Sequence, residues 1–147
     1  MHGSDRGEVQ RAPARGRVDW KAIVVLSSVA AALGIAAGGP RLAALLPKSP
    51  EHTYWFGSAH ALVPLCLVFL LRGAVVRNWP SVRKFMWGLV ALDALLAFLF
   101  LLFLVFALSR GRAPLAFALV LLTVALSARL VAFRALIAYF DGLYRPT

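Results

Sequence analysis

Asp93 and Arg129 are the residues of this chain whose chemistry is hardest to ignore, because each sits inside a stretch that is otherwise almost wholly apolar. A lone charge at mid-membrane depth costs at least about 2.5–3.5 kcal/mol on insertion scales, so a partner is expected for each. Asp93 lies nine residues past Lys84, about 13 Å along a helix. Counted inward from Tyr139, Arg134 is about 7–8 Å deep and Arg129 about 15 Å deep. Asp93 therefore falls between the two arginines in depth, and an ion pair to either is reachable. Arg129 is the better partner: it shares a face with Ala125 and Ala132, small residues suited to a helix interface. Arg134 is about 140° further round the helix and shallow enough to snorkel. In a functional reading Asp93 is a proton or cation site that Arg129 modulates. In a structural reading the pair is a clamp fixing helix register or meeting another subunit. One acid with one arginine makes no coordination shell, so the clamp is favoured.

His60 is the third candidate, placed one and a half turns inside the outer end of its apolar stretch. A buried imidazole ligates haem or a metal, or bonds a quinone carbonyl. The other histidines, His2 and His52, offer no matched partner, and no His-Glu-x-x-His spacing occurs. No metal site and no cofactor are expected within one chain. Cys66 stands alone in an apolar stretch, so no disulfide forms within the chain and its expected role is packing. Ser27, Ser28, Thr123 and Ser127 are expected to bond their own helix backbones. There is no Ser-His-Asp set, phosphate loop or carboxylate pair. The reading is not an enzyme.

These residues must be positioned by helices. Of 147 residues 61% are hydrophobic, with a mean hydropathy of +0.80, which leaves little material for a soluble domain. Apolar runs over residues 22–39, 55–76, 85–109 and 113–140 are each close to the roughly 20 residues a crossing needs. The expectation is an all-α integral membrane protein: four transmembrane helices in a small antiparallel bundle, forming one domain over 20–147. Residues 1–19 form a basic cytoplasmic tail, expected to be disordered and to rest on anionic lipid or a cytoplasmic partner. A basic leader, an apolar run and small residues at 34–39 also have the layout of a cleavable signal peptide. The long polar leader and the full-length span favour a retained crossing.

The net charge of +10 would suggest nucleic acid in a soluble protein; beside membrane spans it sets orientation instead. With the N-terminus in the cytoplasm, that side collects Arg6, Arg11, Arg15, Arg17, Lys21, Arg72, Arg77, Arg83, Lys84 and Arg145. The other side keeps Arg41, Lys48, Arg110 and Arg112. Both termini are therefore expected inside, in a bacterial cytoplasmic membrane, with no nucleic-acid partner. Trp20, Tyr54, Trp55, Trp79, Trp87 and Tyr139 fall near span ends, where amphipathic rings prefer the interface.

The first span carries two small-residue stripes, Ser28, Ala32 and Ala36, and Ala30, Gly34 and Gly38, which let another backbone approach. Gly38, Gly39 and Pro40 are expected to end it. Pro64 removes a backbone donor and is expected to bend the second span. Residues 95–106 are almost all Leu, Phe, Val and Ala, a surface for lipid or another apolar subunit. Residues 109–113 form a tight turn that makes the third and fourth helices antiparallel neighbours. Past Arg129 the last helix either continues or bends onto the interface. The chain thus reads as an accessory or structural subunit packed against membrane partners or itself. A small homo-oligomeric transporter or channel using Asp93 is the alternative, and a membrane-permeabilising, holin-like protein or toxic effector comes last.

Overall fold

A computed structural model describes residues 18–45 and 53–144, and every regular element among them is helical. The basic leader, Lys48, His52 and Arg145 lie outside the described residues. The helices are α1 (Trp20–Leu45), α2 (Thr53–Ala61), α3 (Val63–Phe69), α4 (Arg72–Arg77), α5 (Trp79–Ser109) and α6 (Ala113–Leu143). Of these, α1, α5 and α6 are long and apolar enough to cross a membrane. The protein is a multi-pass membrane protein by that measure.

Local chemistry sets the ends. The Asp19 carboxylate accepts the Ala22 amide at 3.2 Å and caps the start of α1. Pro80 and Pro114 sit in the first turns of α5 and α6, where a missing amide costs nothing. Between α5 and α6, Gly111 adopts φ +66°. The Arg112 amide reaches the Ala107 carbonyl and the Gly111 amide reaches Leu108, each at 3.0 Å. This is the Schellman arrangement, in which glycine takes the left-handed position without penalty. The reversal is so short that α5 and α6 lie side by side.

Residues 55–76 do not form the one helix expected of them. Pro64 has no amide to give the His60 carbonyl, and the chain turns at Leu62, whose own amide bonds Ala59 at 3.1 Å. A second interruption follows at Leu70 and Leu71, whose amides share the Cys66 carbonyl at 2.9 and 3.0 Å. The result is three short helices, α2 to α4, of which α2 and α3 pack on α1. Cys66 is exposed on α3, not packed. Conversely, α1 does not stop at Gly38–Pro40 but runs through Pro40 to Leu45. Leu42 packs on the Ala116 and Leu119 cluster, and the Arg41 guanidinium donates to the Ala37 carbonyl at 2.7 Å. Tertiary contact thus carries the helix past residues that would end it in isolation. α6 continues unbroken past Arg129 to Leu143.

Side-chain contacts fix the directions. Lys21 of α1 lies over the Tyr139 ring of α6, and Trp79 of α5 packs on Phe140, so these ends share one end of the bundle. There Val24, Val68, Val75, Trp79, Met86, Phe133 and Phe140 form the largest core. A middle layer is small: Ala31, Ile35, Ala61 and Ala125. α1 and α5 run one way; α6 and the α2–α4 series run the other.

Candidate functional site at the middle of the helices

Asp93 is one residue short of the midpoint of the 31-residue α5, and Arg129 one residue past that of the 31-residue α6. The short Gly111 turn sets the register of this antiparallel pair, which brings the two to one level. Arg129 Nε donates to Asp93 Oδ2 at 2.8 Å, and Arg129 Nη2 donates to Asp93 Oδ1. Asp93 is 1% exposed and Arg129 8%. The fork of the guanidinium thus meets both carboxylate oxygens, the geometry that gives a buried pair most of its strength. Nothing in it leaves Asp93 open as a docking point for a cation.

His60 joins the pair from α2. Arg129 Nη1 approaches His60 Nδ1 at 3.3 Å. Arginine only donates, so Nδ1 accepts, and the neutral ring carries its proton on Nε2. Phe133, one turn beyond Arg129 on α6, has its ring centroid 6.5 Å from that of the imidazole. The imidazole itself is exposed. Counting from the start of the apolar stretch places His60 shallow; the structure places it level with Asp93. The reason is that Gly57 already lies against Ile35, well inside α1, and Ser58 Oγ donates to the Ala32 carbonyl at 3.4 Å. The other helices extend beyond the start of α2, so counting from that start understates how far along the bundle His60 lies.

Arg134 takes no part. It is exposed, with its guanidinium 4.7 Å above the Trp87 ring, a cation–π contact near the end of the bundle.

The packing face of α1 is rotated from the two stripes. Its buried residues are Val24, Ser28, Ala31, Ile35 and Gly38, spaced alternately by four and three. Gly34 touches α6 so closely that an added Cβ would sit 2.7 Å from that of Ala125, and one on Gly38 would be 3.0 Å from Leu122. Ala32 packs at the edge of the middle layer. Ala30 and Ala36 are exposed. Each stripe mixes inward and outward positions because α1 packs against two neighbours, α2 and α6, on different parts of its surface. Ser27, Thr123 and Ser127 bond carbonyls of their own helices. Ser28 does not: its hydroxyl is buried without a partner among the described residues.

Sequence counting also missed a lock at the end of the bundle. Trp79 Nε1 donates to Asp141 at 2.8 Å, and Arg83 meets the same oxygen at 3.1 Å. The signal available was an acid at the end of one span facing the tryptophan that opens another. No metal-binding group of three His, Cys, Asp or Glu occurs among the described residues. Comparison of the chain with protein-family models, with curated proteins and with solved structures finds no match.

Proposed function

We propose that this chain is a non-catalytic membrane protein of four crossings, α2–α4 supplying the fourth, with both termini in the cytoplasm. In this reading it is an accessory or structural subunit packed against partner subunits of a membrane complex. The observation that carries it is the closed state of its one intramembrane carboxylate. Both Asp93 oxygens are engaged by Arg129, which suits a clamp better than a coupling site. The apolar outer face of α5, with Leu95, Phe98, Leu102 and Val105 exposed, then serves as the surface a partner covers. Solubilisation in mild detergent, followed by purification from the native membrane, tests this directly. A stoichiometric membrane partner is expected; recovery only as a stable lone monomer refutes the subunit reading. Reporter tags at the two termini test the topology, and tags on opposite faces refute it.

A second reading, a small homo-oligomeric transporter or channel using Asp93, draws support from the helix break at Leu62. Interrupted helices at mid-membrane depth leave backbone groups that line solute paths. Replacing Asp93 with Asn then abolishes flux while leaving assembly intact. Under the clamp reading, the same change weakens the fold.

A further inference from the structure

At the middle of the helices the exposed His60 ring keeps one nitrogen that no described residue meets, whereas the Ser28 hydroxyl, also without a partner, is sealed inside the packing. Arg129 occupies His60 Nδ1, so the ring proton sits on Nε2, and no acceptor among the described residues reaches it. An N–H facing hydrocarbon is costly until an acceptor meets it. The surroundings specify that acceptor. Asp93 and Arg129 neutralise each other, so neither an anion nor a cation finds uncompensated charge here. The level is far from the ends of the helices, below the depth at which phospholipid headgroups and ester carbonyls reside. What arrives at this depth is a neutral, lipid-soluble molecule.

A place for the rest of such a molecule lies close by. A groove of about 500 Å³ runs between α5, α6 and the end of α1, and no polar atom lines it. Its walls include Leu96, Leu99, Phe100, Phe103, Phe106 and Leu119. Leu96 is three residues from Asp93 on α5, hence its neighbour on the helix surface. The groove therefore starts one turn from the ion pair and runs about 15 Å toward Phe106. Its volume is within the usual range of ligand sites, which are mostly apolar with a few convergent polar groups.

We propose that this seam binds a quinone-type molecule: a ring carbonyl accepts the His60 Nε2–H bond, and the hydrocarbon tail lies along the α5–α6 groove. Arg129 acts as a positioning residue that holds the imidazole in the donating tautomer. No electron transfer is implied. The site recognises a carbonyl and a chain, and it is independent of which subunit the protein contacts.

The test uses the full chain in lipid nanodiscs with histidine labelled by ¹⁵N, titrated with a decyl-substituted benzoquinone. The His60 Nε2 resonance is expected to shift saturably, and decylbenzene, which has the same chain without carbonyls, is expected to leave it in place. His60→Phe keeps a ring but loses the donor, and should weaken quinone retention about tenfold, the value of one neutral hydrogen bond. His60→Gln, which keeps an N–H donor, should recover most of that loss. Phe103→Trp, at an exposed groove position, should weaken binding without touching the ion pair. The proposal is overturned if the quinone moves no His60 nitrogen in the unaltered protein, or if decylbenzene competes equally. Equal retention by His60→Phe overturns it as well.

Discussion

α5 and α6 are equally long, 31 residues each, yet α6 buries thirteen of its residues and α5 only five. α5 is the more hydrophobic of the two, the reverse of what burial in a water-soluble protein would require. Lipid tails are as apolar as leucine, so they supply no drive to hide leucine. Burial instead follows close fit and polar need. Five of the buried residues of α6 are alanines, Ala116, Ala118, Ala125, Ala132 and Ala135, and these admit neighbouring backbones. α5 is held at its opening end by Trp79, Met86 and Val90, at its middle by Asp93, and at its far end by Ala107. Its large residues, Phe98, Leu101, Leu102 and Phe103 among them, face outward.

If α5 depends on a few attachments, removing the strongest should separate the two helices. Arg129→Leu leaves a buried carboxylate without a partner and is expected to cost about 3–5 kcal/mol. Asp93→Leu combined with Arg129→Leu should recover most of it, because replacing both partners with apolar groups removes the desolvation penalty. Unfolding in mixed micelles against rising sodium dodecyl sulfate measures both, and equal losses in the single and double variants would show that the pair is not what joins α5 to α6.

The contrast in burial sharpens with one residue type on both helices. Phe133 of α6 is 0% exposed and Phe98 of α5 is 56% exposed. Truncating Phe133 to Ala should cost up to about 3–5 kcal/mol, and truncating Phe98 less than about 0.5 kcal/mol, by the same micelle titration. Similar costs at the two sites would erase the distinction between a packed helix and a lipid-facing one.

A smaller effect probes the close approach that lets α6 bury so much. Gly34→Val drives a side chain into Ala125 and should cost about 1–3 kcal/mol. Gly88 of α5 has open space where a Cβ would stand, so Gly88→Val should leave the midpoint nearly unchanged. Thermal retention of the folded peak in size-exclusion chromatography is sensitive enough to tell them apart.

Much of the ion pair is legible in the chain because its register is local. Five residues, 109–113, join two apolar runs, and such a short connection fixes which residues of the pair share a level. Arg129 rather than Arg134 follows from helical angle and from the alanines around it. His60 was not legible as a member of this cluster. Its level depends on how far the other helices extend past α2, a comparison between elements that are distant in sequence. The face of α1 was legible only in part for a related reason: Ser28, Gly34 and Gly38 do meet neighbours whereas Ala30 and Ala36 are exposed, and only the positions of α2 and α6 select among them.

Composition and spacing alone determined that lipid is the solvent, that the long segments are helical and that two of them are antiparallel neighbours. Length, hydropathy and a short turn are properties a chain carries with it. Where helices stop, which faces meet and which polar groups find each other were decided by tertiary structure. Pro40 is passed over because Leu42 has a surface to pack on, whereas the chain breaks ahead of Pro64 and sets His60 beside Arg129. The free energy of one residue type thus depends on what stands opposite it, and that is not written in its neighbours along the chain.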